Sequence, residues 1–116
     1  MSAPSIQDYR FGCIRIDGHT YTSDVIVHPQ GVEPNWWRAQ GHILGCEDLK
    51  PILQRDPEIL VVGTGSVGMM VVPEETLEEI RRRDIQSVVE TTERACQIYN
   101  QMSSLGRTVA ALHLTC

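Results

Sequence analysis

The chain has 116 residues, 41% of them hydrophobic and 22% charged, with a formal net charge of -5 at pH 7. This length suits one domain with a real core and excludes a two-lobed enzyme with separate cofactor and substrate domains, while the composition excludes disordered and fibrous classes. The acidic balance argues against a nucleic-acid partner, because affinity for a phosphate backbone comes largely from clustered positive charge.

The only basic cluster, Arg81-Arg82-Arg83, follows Glu74, Glu75, Glu78 and Glu79 and reads as the last turn of a helix whose charges complement its dipole. No apolar stretch approaches the roughly 18 residues of a membrane span, and Met1–Ser5 lacks a basic region followed by an apolar one. A soluble protein in the cytoplasm is therefore expected. Cys13, Cys46, Cys96 and Cys116 are scattered, without any Cys-x-x-Cys pair, and read as reduced thiols.

Taken in order, residues 1–8 are expected to be a loose N-terminal segment of a single α/β domain spanning 1–116. From Gly12 to Pro29 the pattern predicts a hairpin: Cys13–Ile16 alternates, Asp17-Gly18 is a two-residue turn signal, and Tyr21–Val27 is β-rich. Between Pro29 and Gly45, glycines and Pro34 suit a loop or short strands. Leu49, Ile52 and Leu53 predict a short helix ending before Pro57, with Pro51 in its first turn.

Ile59–Val62 and Met69–Val72 are continuous apolar runs, as expected of strands covered on both faces. Pro73 at a first helical position predicts a helix to about Arg83. Ile85–Val89 reads as a strand, and Thr92 as the N-cap of a helix carrying Ala95, Ile98, Tyr99, Met102 and Leu105, stopped by Gly106. Val109–Leu114 closes the chain as a strand. Hairpin first, then alternating helices and strands, gives α/β with a mixed sheet.

Gly63-Thr64-Gly65-Ser66-Val67-Gly68 matches a dinucleotide-binding fingerprint in letters, with Glu90 near the position of the ribose-binding acid. The mechanism requires a helix to begin within the motif, yet Met69–Val72 and then Pro73 follow. Proline inside a helix costs about 3 kcal/mol or more, so the helix must start at Pro73, and the residues after Glu90 are too few for a second nucleotide-binding half. No NAD(P) and no other cofactor is expected. The loop reads as a tight turn between two strands. A residual reading keeps a small-anion nest or cleft at Gly63, Thr64, Gly65 and Ser66, with Thr92 and Asn100 nearby, although an N-cap and a helix-surface amide are the plainer roles of those two.

Several short motifs recur together in order: Phe11-Gly12, Tyr21-x-x-Asp24-Val25-Ile26-Val27, Trp37, Gly41-His42, Asp48-Leu49, Pro57-Glu58-x-Leu60-Val61-Val62-Gly63-Thr64-Gly65, Val72-Pro73-Glu74, Thr92-x-x-Ala95-x-x-x-Tyr99-Asn100, and Val109-Ala110-Ala111-x-His113-Leu114-Thr115-Cys116. In these the chain resembles a family of small uncharacterised archaeal, bacterial and mitochondrial α/β domains that includes mitochondrial respiratory complex I assembly factor 3. The resemblance implies a three-layer fold with a mixed central sheet and an extra antiparallel hairpin. It supplies no catalytic residue.

His19, His28, His42 and His113 stand among the cysteines, but His42/Cys46 and His113/Cys116 have helical spacing in segments that do not read as helix, so no metal site is expected. No electropositive helix end is visibly aimed at a cysteine. One of Trp36 and Trp37 is expected in the core, Trp37 by the family likeness, leaving Trp36 as an exposed partner-binding anchor. The leading expectation is a non-enzymatic protein-interaction or assembly module with an unknown protein partner. The alternative is a small-molecule or anion-binding protein or enzyme with its site at the Gly63–Ser66 loop. Oligomeric state is not legible.

Overall fold

A computed structural model of the chain describes residues 3–116. Met1 and Ser2, the start of the expected loose segment, lie outside the described residues. The Asp17-Gly18 hairpin is present: β2 (Cys13–Ile16) and β3 (His19–Tyr21) pair antiparallel, with Ile16 opposite His19. Both turn residues have positive φ, 48° at Asp17 and 82° at Gly18, as a type I′ turn requires. The expected looseness does not extend through residue 8, because β1 (Ile6–Arg10) adds to β2 and buries Ile6.

The β-rich run after the turn divides between two sheets. β3 stops at Tyr21, and β4 (Val25–His28) belongs to a second sheet with β5 (Gly31–Pro34), β6 (Ile59–Gly63), β7 (Gln86–Glu90) and β8 (Thr108–Leu112). The strand order is β5-β4-β8-β6-β7. β4 pairs antiparallel with β5 and β8, whereas β6 is parallel to both β7 and β8. The fold is thus α/β, with a mixed five-stranded sheet and a separate three-stranded antiparallel sheet.

The period of two along each strand sorts the core into two clusters. Val25, Val27, Val61, Ala110 and Leu112 point to one face, where α3 (Thr92–Met102) and the three-stranded sheet bring Ala95, Tyr99, Ile6, Ile14 and Ile16. Ile26, Leu60, Val62, Val109 and Ala111 point to the other, against Ile80 of α2 (Glu74–Arg82), Leu49 of a 3-10 turn (Cys46–Leu49), and Ile52 of α1 (Lys50–Leu53). Continuous apolar runs in β6 and β8 follow from this two-sided burial.

Three boundaries differ from expectation. Pro73 is the extended N-cap of α2 (φ -61°, ψ 155°) rather than its first helical residue. Thr91, not Thr92, occupies the cap position of α3, and that helix ends at Met102 instead of running to Gly106. Met69–Val72 is not a covered strand: only Val71 forms a single parallel bridge, to Ile43, and Met69 and Val71 are exposed while Met70 is buried. The glycine loop therefore joins a strand to an extended surface segment, not to a second strand of the sheet.

Candidate functional site at the carboxyl end of the sheet

β6 ends at Gly63, a position where no larger residue fits. An added Cβ would lie 2.9 Å from Leu112 Cδ2 and 2.9 Å from Thr92 Oγ1. At Gly65 the backbone adopts φ 108°, and a Cβ would overlap the Cys116 carbonyl. The glycines thus admit the tail of the chain and the start of α3 against the loop.

The loop amides donate to acceptors of the chain itself. Thr64 N–H donates to Glu90 O at 2.9 Å and Ser66 N–H to Thr115 O at 2.7 Å. Gly65 N–H donates to Thr92 Oγ1 at 2.8 Å. The Thr92 hydroxyl in turn donates to His113 O at 2.5 Å, and its amide to Gly65 O at 3.1 Å. Further along, Met69 N–H donates to Cys116 O at 2.8 Å. Gly63, Thr64, Gly65, Ser66 and Thr92 are brought together as expected. Asn100 is not among them: it lies two turns along α3, where its carboxamide accepts from Ile6 N–H at 2.9 Å and donates to Ile6 O at 2.8 Å. Its role is to pin β1 onto α3.

Beside the loop lies a cluster of charged groups that sequence reasoning did not assemble. Asp24 Oδ2 accepts from Arg38 Nη2 at 2.8 Å and faces His113 Nδ1 at 2.8 Å, while Oδ1 accepts from Leu114 N–H at 2.8 Å. Burial opposes ionisation of Asp24, but the bonds from His113, Leu114 and Arg38 outweigh it and hold its carboxyl below the ordinary 3.8. His113 Nδ1 also lies 3.1 Å from Arg38 Nη2, and its Nε2 faces Thr115 Oγ1 at 3.4 Å. Arg38 also donates to Gly41 O through Nε and Nη2, at 3.1 and 2.8 Å. Its guanidinium carbon lies 4.4 Å from the centroid of the Trp36 ring.

Asp24, His113 and Thr115 stand in the order of a hydrolase relay. The neighbouring amides of Gly65 and Ser66 are already engaged, so no oxyanion donors are presented there. We read the cluster as a lock that holds the tail across the loop. Asp24 and His113 were visible in the sequence only as members of separate motifs; the lock joins them across a separation of 89 positions.

Burial pushes the Cys96 thiol up to about 12, with Glu93 adding to the shift, so this cysteine is an inert core residue. Among the described residues, no group of three or more His, Cys, Asp or Glu side chains gathers as for a metal ion. None of the described helices is long and apolar enough to cross a membrane.

The tryptophan assignment is reversed. Trp36 is 7% exposed and belongs to the core beneath Arg38, whereas Trp37 is 76% exposed. Extended backbone turns adjacent side chains to opposite faces, and the sequence does not say which one faces in. Trp36 and Trp37 border an open groove of about 500 Å³ with Pro34, Lys50 and Pro51. A second apolar surface follows the glycine loop. Val67, Met69 and Val71 are 70%, 52% and 57% exposed. Leu44 N–H donates to Val71 O at 2.9 Å and Val71 N–H to His42 O at 2.8 Å, setting exposed Ile43 beside Val71.

Residues 6–114 match the family described as "Protein of unknown function (DUF498/DUF598)". Among solved structures, the chain is similar to conserved hypothetical protein PH1505 from Pyrococcus horikoshii OT3, at 28% identity and a TM-score of 0.83 over 97% of this chain and 99% of that one. It is similar to a protein designated MT938 at 28% identity and a TM-score of 0.76, over 98% and 100% of the two chains. A Bordetella pertussis protein described as a Mth938-like domain shares the fold at 19% identity and a TM-score of 0.67, over 96% and 85%. The chain belongs to the DUF498/DUF598 family of proteins of unknown function.

Proposed function

We propose that this chain is a protein-interaction or assembly module without catalysis of its own, and that its partner docks on the strip formed by Ile43, Val67, Met69 and Val71. The observation that carries this reading is the exposure of Val67, Met69 and Val71, at 70%, 52% and 57%, on a segment whose backbone is tied to the tail and to His42 and Leu44. Apolar side chains exposed on a backbone fixed by hydrogen bonds need little backbone ordering on docking, and exposed apolar patches mark interaction sites. Trp37 replaces Trp36 as the candidate aromatic anchor. The reading includes no nucleic acid and no NAD(P). The net charge of -5 supports the first, and the start of α2 only at Glu74 supports the second. It places the protein in the cytoplasm.

The test is site-specific photo-crosslinking in the native host, with p-benzoylphenylalanine in place of Val67 or Val71, and in place of exposed Arg94 as a control. One and the same protein is expected to crosslink at 67 and 71 and not at 94. If nothing above background is captured at 67 and 71, the docking strip is wrong.

A small-molecule or anion site at Gly63–Ser66, with Thr92, is the second reading, favoured by its place at the carboxyl ends of parallel strands. It requires the tail to leave, since Thr115 O holds the Ser66 amide and Cys116 O that of Met69. Phosphate titrated into the protein would shift the Gly65 and Ser66 amide resonances if the site opens; unmoved resonances at millimolar phosphate would end this reading.

A further inference from the structure

The two edges of the five-stranded sheet differ in how they meet solvent. β5 carries Gly31 and Pro34, and its Glu33 is tied to Arg55, features that discourage strand addition. β7 (Gln86-Ser87-Val88-Val89-Glu90) has no proline, glycine or lysine, and its register with β6 is unbroken from Gln86 to Glu90. Gln86 N–H donates to Glu58 O at 3.0 Å, and Glu90 O accepts from Thr64 N–H at 2.9 Å. Alternation along the ladder therefore turns the N–H and C=O groups of Gln86, Val88 and Glu90 toward β6, and those of Ser87 and Val89 outward. Among the described residues nothing pairs with these outward groups. Val89 is also one of the exposed large hydrophobic residues.

We propose that β7 pairs antiparallel with β7 of a second copy of this chain, about a two-fold axis through Val88, joining the two sheets into one. In this register Ser87 faces Val89 of the second copy, and the two residues exchange both N–H···O=C bonds, a pairing the two-fold repeats. Charge disfavours two alternative arrangements. Glu90 meets Gln86 of the second copy, whereas a slip that pairs Ser87 with Ser87 sets Glu90 against Asp84, and a parallel arrangement sets Glu90 beside Glu90. The contact is short, so the dimer forms in a concentration-dependent way. It involves a different surface from the docking strip and stands whether or not that strip binds a partner.

Sedimentation velocity of the full chain from micromolar to millimolar concentration, with amide exchange of the same samples, tests this. The mass is expected to rise toward twice that of the monomer, with Ser87 and Val89 amides becoming slower to exchange along with it. Val89→Pro removes only an outward N–H, which an edge strand tolerates, and is expected to weaken association at least about 10-fold without changing the circular dichroism. Gln86→Glu, at an exposed position, sets like charges opposite each other and is expected to weaken association in low salt, with recovery in high salt. A monomeric mass at millimolar concentration overturns the proposal. So does a dimer that both variants leave unchanged, since it would then use another surface.

Discussion

Asp24 holds three donors in a nearly closed site, which makes it the residue where pH and stability meet. Its carboxyl is held below the ordinary 3.8, so the stability it contributes is fully present above that value and is lost as pH falls through the lower, folded-state value. Asp24→Asn is therefore expected to destabilise the protein at neutral pH, with the gap to wild type closing below about pH 4, as urea midpoints across pH 2–7 would show. Arg38→Ala leaves the part-buried Asp24 carboxylate without its cation, with the His113 and Leu114 bonds remaining, and is expected to cost about 1.5–3 kcal/mol in the same measurement. The tryptophans part in the same way. Trp36→Ala is expected to cost about 3–5 kcal/mol, and Trp37→Ala to stay within about 0.5 kcal/mol. Iodide should quench Trp37 fluorescence and spare that of Trp36.

At the scale of elements, the glycine loop, the start of α3 and the tail act as one hydrogen-bonded unit centred on Thr92. Thr92→Val keeps the shape but strands the Gly65 N–H and the His113 carbonyl, an expected loss of about 2–4 kcal/mol in chemical denaturation. Gly65→Ala forces a left-handed backbone on alanine and pushes a methyl into the Cys116 carbonyl, so a loss of at least about 2 kcal/mol is expected, with α3 itself intact by circular dichroism.

Which elements were legible in the sequence follows from where the information for each one lies. The Asp17-Gly18 turn, the apolar runs of β6 and β8, and the acidic-to-basic run of α2 are local signals, and each appears where it was expected. β1 was missed because its sequence, Ile-Gln-Asp-Tyr-Arg, carries little apolar content, and its stability comes from pairing with β2 and packing against α3. Met69–Val72 misled because an apolar run looks the same whether the sheet covers it or the solvent meets it. The grouping of Gly63–Ser66 with Thr92 was legible, because strand ends converge there, but the engagement of its amides by the tail was not, since that depends on contacts between the middle of the chain and its last residues. The Asp24–Arg38–His113 lock was hidden for the same reason.

For the whole molecule, a sheet buried on both faces leaves function to its ends and edges. The carboxyl end is closed by the tail in its polar groups and open in its side chains, and this contrast is what favours a protein partner over a small ligand. Val67, Met69 and Val71 all face solvent, so charge placed on the strip is expected to leave the core intact. Co-purification from the native host of wild type and of Val67→Glu/Val71→Glu, both checked for equal thermal midpoints, tests the docking strip most directly. The account predicts a specific protein retained by the wild type and lost, by at least about 10-fold, from the equally stable variant. Equal recovery of that protein by both chains would contradict it.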